Sequence, residues 1–209
     1  MARSTNPFVK QVYFWWIIAP VLSAIIFPAL GTIDSLKIQP EEVQLAARCN
    51  DDIDEVSQSA TNHFDSWFVQ PGWVQHSIQE NVNAENSVAS GYAWLGRSMH
   101  TWYGRFWLYA YRVIWRWTAF WPLYIAGVIG IATPCLVDGL VIRAKKRFEF
   151  GQYNPMAFNV SGTLLALAIG WIIYVPLLPL PLTANLMACF FIGLGAVAWI
   201  STANFQRSA

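Results

Sequence analysis

Charged residues are scarce in this chain of 209 amino acids: they make up 12% of it, whereas soluble domains carry about 25%. This composition disfavours a water-soluble globular domain. Cysteine and histidine occur only three times each, without the Cys-x-x-Cys or His-x-x-x-His spacing of a metal site. The sequence also lacks a glycine-rich phosphate loop and a nucleophile elbow, so we expect neither an enzyme nor a cofactor. A net charge of +1 gives no reason to expect direct nucleic-acid binding.

Apolar and aromatic residues are abundant instead, at 56% and 16% with 12 tryptophans, which is typical of a chain in contact with lipid and with the membrane interface. A helix needs about 20 apolar residues to cross the hydrocarbon core, and three charge-free runs are long enough. The last run must contain two crossings, because Pro176, Pro179 and Pro181 favour a turn in its middle. The sequence therefore predicts an all-α membrane protein with four transmembrane helices, at 13–33, 117–137, 158–178 and 183–203.

The distribution of basic residues predicts the orientation of these helices. A basic cluster follows the second helix, and such clusters stay on the cytoplasmic side; its members are Arg143, Lys145, Lys146 and Arg147. The terminal segments 1–12 and 204–209 and the basic loop 138–157 are then cytoplasmic. The segment 34–116, with six basic and ten acidic residues, is then exported. A secretory signal cleaved near Ala29-Leu30-Gly31 is the alternative for the first run, but the run is longer than a signal core of about 7–15 residues.

The exported segment contains helix signals and a separation of charge. Pro40, followed by two glutamates, is typical of a helix start, and apolar residues then recur at helical spacing up to about residue 69. Near the end of the segment, Arg105, Arg112 and Arg116 fall within about 20° of one stripe of a helix. These arginines either reach lipid phosphates, or form a docking surface for an acidic helix of another subunit, or pair with the acidic group Asp51, Asp52, Asp54 and Glu55.

The predicted transmembrane helices contain no ionisable side chain between their ends, which disfavours active transport. They do contain small residues at intervals of four, which let helices approach closely: Gly162, Ala166 and Gly170 in the third helix, and Ala126 and Gly130, between Pro122 and Pro134, in the second. These residues pack either the four helices together or the protein against a partner. Cys49 is either a buried thiol or the site of a cross-link to another chain, so the sequence is compatible with a homo-oligomer.

The sequence VDGLVIRAKKRFEFGQYNP, at the end of the second predicted transmembrane helix, resembles a family of inner-membrane proteins carried by bacterial integrating conjugative elements and conjugative plasmids. The residues that carry the resemblance are Asp138, Gly139, Arg143 and the turn Tyr153-Asn154-Pro155. The layout is also similar: an amino-terminal anchor, an exported loop, a Trp/Arg-rich approach to the second helix, then Asp-Gly, a basic stretch and two closing helices. Such proteins are typically encoded beside the coupling-protein ATPase that feeds DNA to a type IV secretion channel.

The resemblance implies an accessory inner-membrane subunit of a conjugative DNA-transfer apparatus. Its partners are then membrane lipids and the coupling-protein ATPase or other conjugation membrane subunits. From the residues alone, Asp138 and Gly139 would end the second helix, and the basic cluster would meet anionic headgroups or an acidic face of that ATPase. An entry-exclusion or structural protein acting through its exported loop is the alternative. An intramembrane enzyme or a channel would need polar groups that the helices lack.

Overall fold

The computed structural model describes residues 12–79, 93–148 and 155–204. Within these ranges all regular secondary structure is helical, without a β-strand, which confirms the all-α prediction. The chain forms two compact units. The first, here called the loop unit, comprises Val21–Trp121 and Pro176–Pro181. The second, the helix unit, comprises the described parts of Met1–Pro20, Pro122–Val175 and Leu182–Ala209.

The first helix, α1 (Phe14–Leu30), is followed in the loop unit by helices that carry their own caps. The Thr32 hydroxyl accepts a hydrogen bond from the backbone N–H of Ser35 (3.3 Å), which starts the short helix α2 (Ile33–Leu36). Helix α3 (Pro40–Cys49) begins at the predicted proline, because the N–H that proline lacks is not needed in the first turn.

Helix α4 (Ile53–Phe64) begins after Asp52, whose carboxylate accepts hydrogen bonds from two backbone N–H groups of the first turn. The helix continues as a π-helical turn, Asp65–Val69, so the amphipathic helix predicted to reach about residue 69 is confirmed. Gly72, with φ of 82°, reverses the chain in the left-handed region that favours glycine. Residues 73–79 are helical again.

A helix runs without interruption from the segment predicted to be exported through the second predicted crossing. It consists of α5 (Ala93–Gly127), a π-helical turn (Val128–Ala132) and α6 (Thr133–Phe148). The predicted helix end at Asp138 and Gly139 is wrong, because both residues lie inside α6. Gly139 serves as a close-contact residue within the helix, as described below, and not as a left-handed cap.

The last two helices are α7 (Pro155–Tyr174) and α8 (Ala184–Ala203). A short 3-10 helix, Val175–Leu177, and a non-helical stretch separate them, so the proline-rich turn predicted in this run is confirmed. Thr183 caps α8 by accepting a hydrogen bond from the backbone N–H of Leu186 (3.3 Å).

Two helices of the described chain are long and apolar enough to cross a membrane: Trp102–Lys145, of 44 residues, and Ala184–Ala203, of 20. The apolar helices Phe14–Leu30 and Ala166–Leu177 are shorter. At 1.5 Å per residue, 44 helical residues span about 66 Å, roughly twice the hydrocarbon core. The described chain therefore contains two candidate membrane spans, whereas the sequence predicts four transmembrane helices. The longer candidate extends well beyond the thickness of a bilayer.

Candidate functional site: a buried arginine pair and the Asp138–Gly139 contact

Among the described residues of the loop unit, three charged side chains lie completely inside. Glu42 on α3 and Arg116 on α5 are 0% exposed, and Arg112 on α5 is 1% exposed. The Arg112 guanidinium contacts both carboxylate oxygens of Glu42, with Nη2 2.8 Å from Oε1 and Nε 3.3 Å from Oε2. Arg116 also donates a hydrogen bond to Oε1 of the same carboxylate through its Nη2. We call these three residues the arginine cluster.

The arginine cluster also binds backbone carbonyl groups from two distant segments of the loop unit. Arg112 donates to the carbonyl oxygen of Ser35. Arg116 reaches three carbonyl groups of the proline-rich turn, those of Pro176 (2.8 Å), Leu178 and Leu180 (2.6 Å). The last carbonyl groups of a helix lack intrahelical donors, and proline supplies no N–H of its own. Arg116 therefore provides the donors that this turn cannot provide for itself.

Tyr109, about two helical turns before Arg116 on α5, strengthens the same attachment. Its hydroxyl donates a hydrogen bond to the carbonyl oxygen of Leu177 (2.6 Å), and its ring packs edge-on against Phe27, with ring centroids 6.2 Å apart. Four consecutive or nearly consecutive carbonyl groups of the turn are thus bound by side chains of one helix. The turn between α7 and α8 is fixed by α5 and α3, which lie far from it in sequence.

The charge balance of the cluster depends on these carbonyl oxygens. Two guanidinium groups against one carboxylate leave one excess positive charge, and an uncompensated buried charge costs several kcal/mol. Four carbonyl oxygens direct their negative ends toward the guanidinium groups and offset this cost. Burial by itself raises the pKa of Glu42, but the hydrogen bonds and positive charges of Arg112 and Arg116 outweigh it and hold the pKa below its ordinary value of 4.5.

The three arginines of the stripe predicted from the sequence have different surroundings in the structure. Arg112 and Arg116 pair within the chain, but with Glu42, because the predicted partners Asp51, Asp52, Asp54 and Glu55 all lie exposed at the start of α4. As buried residues, Arg112 and Arg116 cannot form a docking surface. Arg105 is half-buried, and its Nε has no hydrogen-bond partner within the described ranges.

A signal for Glu42 is present in the sequence. Glu42, Leu45 and Ala46 occupy positions i, i+3 and i+4 of α3, and all three are buried. A glutamate on the apolar face of a predicted helix needs a cationic partner. Because Glu42 also lies in the first turn of α3, the sequence indicates an interaction with the helix dipole. That interpretation hides the buried ion pair with the two arginines.

In the helix unit, Asp138 and Gly139 connect α6 to α8. The Trp199 indole N–H donates a hydrogen bond to the Asp138 carboxylate (2.7 Å). Gly139 is buried, and a Cβ added there would meet the Thr202 hydroxyl and lie 2.8 Å from the carbonyl oxygen of Trp199. The Asp-Gly pair therefore allows close approach of two helices and fixes their register with one hydrogen bond.

The basic cluster continues along the same helix. Arg143 is half-buried and Lys145 is exposed, both on α6, while the side chains of Lys146 and Arg147 lie outside the described residues. Basic side chains in the last turns of a helix interact favourably with its dipole. The exposed part of this cluster can meet either anionic lipid or an acidic protein surface.

The small residues of the two predicted stripes have different surroundings. In α7, Ala166 is buried and its carbonyl oxygen accepts a hydrogen bond from the Trp16 indole N–H (2.9 Å), and Gly170 lies against the same tryptophan. Gly162 lies outside the described side chains. Ala126 and Gly130 are exposed, and a Cβ added at Gly130 would meet none of the described atoms within 4 Å. Ala166 and Gly170 thus pack inside the unit, whereas Ala126 and Gly130 face outward.

Burial raises the pKa of the Cys49 thiol, which disfavours the thiolate that a reactive cysteine requires. Cys49 is half-buried and unpaired in this chain. Across the described ranges, no group of three or more His, Cys, Asp or Glu side chains converges to hold a metal ion. The buried charged groups of the arginine cluster do converge, and they bind one another and the backbone.

Comparison with known proteins gives one family. No curated protein and no solved structure matches this chain. A family model described as IncC plasmid conjugative DNA transfer protein DtrJ-like matches residues 34–206. The matched region includes the arginine cluster, the Asp138–Gly139 contact and the proline-rich turn. The family also agrees with the conjugation-associated resemblance of the VDGLVIRAKKRFEFGQYNP sequence. The chain therefore belongs to the DtrJ-like family of conjugative DNA transfer proteins.

Proposed function

We propose that this protein is an accessory integral subunit of the bacterial inner membrane that acts in the donor cell during conjugative DNA transfer. The observation that carries the proposal is the DtrJ-like family match over residues 34–206. The protein crosses the membrane four times, with both termini cytoplasmic, and has no catalytic activity of its own. It works by contact with other membrane subunits of a type IV secretion-like apparatus.

The arginine cluster supports the four-crossing topology. In that topology the exported segment 34–116 and the turn between the third and fourth helices lie on the same side of the membrane. Arg116 and Tyr109 bind the carbonyl groups of that turn, and Glu42 binds Arg116. The shorter apolar helices Phe14–Leu30 and Ala166–Leu177 are compatible with crossing, because flanking residues and local thinning of the bilayer compensate for a modest mismatch.

We propose the coupling-protein ATPase as the direct partner, through the basic end of α6. The position of such proteins beside the ATPase gene in related elements favours this partner. Lys145 is exposed there, and a cytoplasmic basic surface complements an acidic protein face. The interaction must compete with anionic lipid, which attracts each basic residue by about 1 kcal/mol.

Deleting the gene from the donor should lower the frequency of conjugative transfer while excision and replication of the element continue normally. The physical reason is that a membrane subunit acts after the DNA has been processed. Transfer frequency, with excision and copy number measured by quantitative PCR, checks this. Normal transfer from deletion donors, with a defect only when the gene is expressed in recipients, would instead support entry exclusion.

The ATPase contact is tested in the same system with two matched charge variants. Arg143→Gln with Lys145→Gln removes two positive charges from α6 but leaves Lys146 and Arg147 to maintain the orientation. Lys37→Gln with Arg48→Gln removes the same charge from exposed positions in the exported segment. A reporter fused at Ala209 monitors the orientation. Only the first variant should lower both transfer and co-purification of the ATPase; equal effects would exclude a specific contact at α6.

A further inference from the structure

An open groove of about 640 Å³ lies within the loop unit, between α4 with its π-helical turn and the second half of α5. Trp67 and His63 line one side, and Ile114, Trp117 and Trp121 line the other. This volume falls within the range of about 300–1,000 Å³ that small-molecule sites occupy. The groove is therefore large enough to hold part of a ligand, and it does not belong to the arginine cluster.

The groove is apolar and aromatic. Among the described residues, no Asp, Glu, Lys or Arg lines it, and three of its side chains are indoles. Trp67 is 58% exposed and Trp121 is 54% exposed, an amount of apolar surface that water does not favour. Tryptophan side chains concentrate at the membrane–water interface, where one end of the ring is apolar and the other is wet.

One wall of the groove belongs to a helix that is long and apolar enough to cross a membrane. Trp117, Trp121 and Ile125 recur at intervals of four on α5, so they share one face of the helix. Ile125 is exposed on that face, and all three residues belong to the candidate span Trp102–Lys145. If this helix crosses the bilayer as proposed above, its exposed face meets lipid chains beside the groove.

The lining also disfavours a peptide as the occupant. A peptide backbone brings N–H and C=O groups that must be hydrogen-bonded when buried. The Thr118 hydroxyl in the groove already donates to backbone carbonyl oxygens of its own helix, including that of Trp115 at 2.9 Å. An acyl chain needs no hydrogen bonds and gains free energy from contact with indole faces.

We propose that this groove holds one acyl chain of a phospholipid at the membrane interface. The lipid fills the space between α4 and α5 and thereby anchors the folded exported segment to the bilayer surface. This inference rests on the proposed membrane crossing by α5, but it does not require the chain to act in conjugation. The two proposals can therefore fail separately.

The test uses the full-length protein in vesicles of phosphatidylethanolamine and phosphatidylglycerol that contain a phosphatidylethanolamine with a diazirine in its acyl chain. After illumination, cross-linked peptides are identified by mass spectrometry. We expect cross-links on residues 59–67 and 114–121. Ser59→Trp, which fills the groove, should reduce these cross-links at least fivefold. Trp121→Ala, which removes one of the lining indoles, should reduce the cross-links as well. This second variant keeps the proposal testable if Ser59→Trp fails to fold.

Trp73→Ala is the matched control, because Trp73 is 64% exposed and does not line the groove. It should leave the cross-links on 59–67 unchanged. Equal labelling in the wild type and in all folded groove variants would overturn the proposal. A dimer of this chain in which residues 59–67 and 114–121 are protected from lipid cross-linking would also overturn the proposal. The occupant of the groove would then be a second copy of the chain. Conjugative transfer from donors that carry the same variants is measured in parallel. Failure of the lipid-binding proposal is thereby distinguished from failure of the proposed role in conjugation.

Discussion

Replacing Glu42 by alanine is expected to cause a large loss of stability in the loop unit. The substitution leaves Arg112 and Arg116 buried with two positive charges and no carboxylate. Breaking a buried ion pair by removing one partner costs about 3–5 kcal/mol. In a chain of this size, about 2–4 °C of melting temperature is lost per kcal/mol, so we expect a fall of about 6–20 °C, measured in mild detergent by intrinsic fluorescence.

Glu41→Ala is the matched control for Glu42→Ala. The two glutamates are adjacent in the first turn of α3, but Glu41 is exposed, and surface substitutions usually change stability by less than about 0.5 kcal/mol. Equal melting temperatures for the two variants would contradict the arginine cluster. The double variant Glu42→Ala, Arg112→Ala should lose less than the sum of the single changes, because the second substitution removes a charge that the first left unpaired.

The pH dependence of stability gives an independent check on Glu42. Its pKa is lowered in the folded protein from the ordinary value of 4.5, so the folded state binds its proton less readily than the unfolded state. The stabilisation is therefore complete above about pH 5 and is lost as the pH falls through the lowered folded pKa. The Glu42→Gln variant should show a shallower decline of melting temperature with acid than the wild type, and parallel profiles would argue against the assignment.

Replacing Gly139 by alanine is expected to disrupt the contact between α6 and α8. The added Cβ would meet the Thr202 hydroxyl and would lie 2.8 Å from the carbonyl oxygen of Trp199, which is backbone and cannot rotate away. Overpacking of this kind costs about 1–3 kcal/mol. Separation of the helices would also lengthen the hydrogen bond between Trp199 and Asp138. We expect a lower melting temperature and a change in the fluorescence of Trp199.

Gly130→Ala is the matched control for Gly139→Ala in the same continuous helix, and we expect no loss of stability from it. A Cβ at Gly130 would lie more than 4 Å from every neighbouring atom in the part of the chain that the structure describes, and alanine is favoured over glycine in a helix by about 1 kcal/mol. This variant should be as stable as the wild type or slightly more so. Thr202→Ala should partly rescue Gly139→Ala, since it removes the hydroxyl but not the carbonyl oxygen. Similar stabilities for Gly139→Ala and Gly130→Ala would show that α6 and α8 do not approach as closely as described.

Local signals in the sequence predicted much of the fold. Pro40 marks a helix start because of its fixed backbone angle, and the three prolines at 176, 179 and 181 mark a turn because they cannot continue a helix. The arginine stripe was also found by its helical spacing. In each case the information lies within a few residues of the feature, so periodicity and backbone preference are sufficient.

The partners of those residues could not be predicted in the same way. Glu42 and Arg116 are 74 residues apart in sequence, and the nearer group of four acidic residues gave an equally reasonable electrostatic choice. The backbone carbonyl groups that complete the cluster carry no sequence signal, because every residue has one. At Asp138 and Gly139, the pair was recognised, but a glycine that allows helix contact and a glycine that ends a helix look alike in sequence.

The proposed topology places the segment 34–116 and the turn between α7 and α8 on one side of the membrane, and Arg116 binds the carbonyl groups of that turn. Labelling of single introduced cysteines with a membrane-impermeant thiol reagent tests it most directly. In a chain whose three native cysteines are replaced, we expect cysteine at Ser87 and at Leu180, which is exposed in the turn, to react in intact spheroplasts. Cysteine at Gln152 should react only after lysis. Labelling of position 180 only after lysis, with position 87 still labelled before it, would contradict the account.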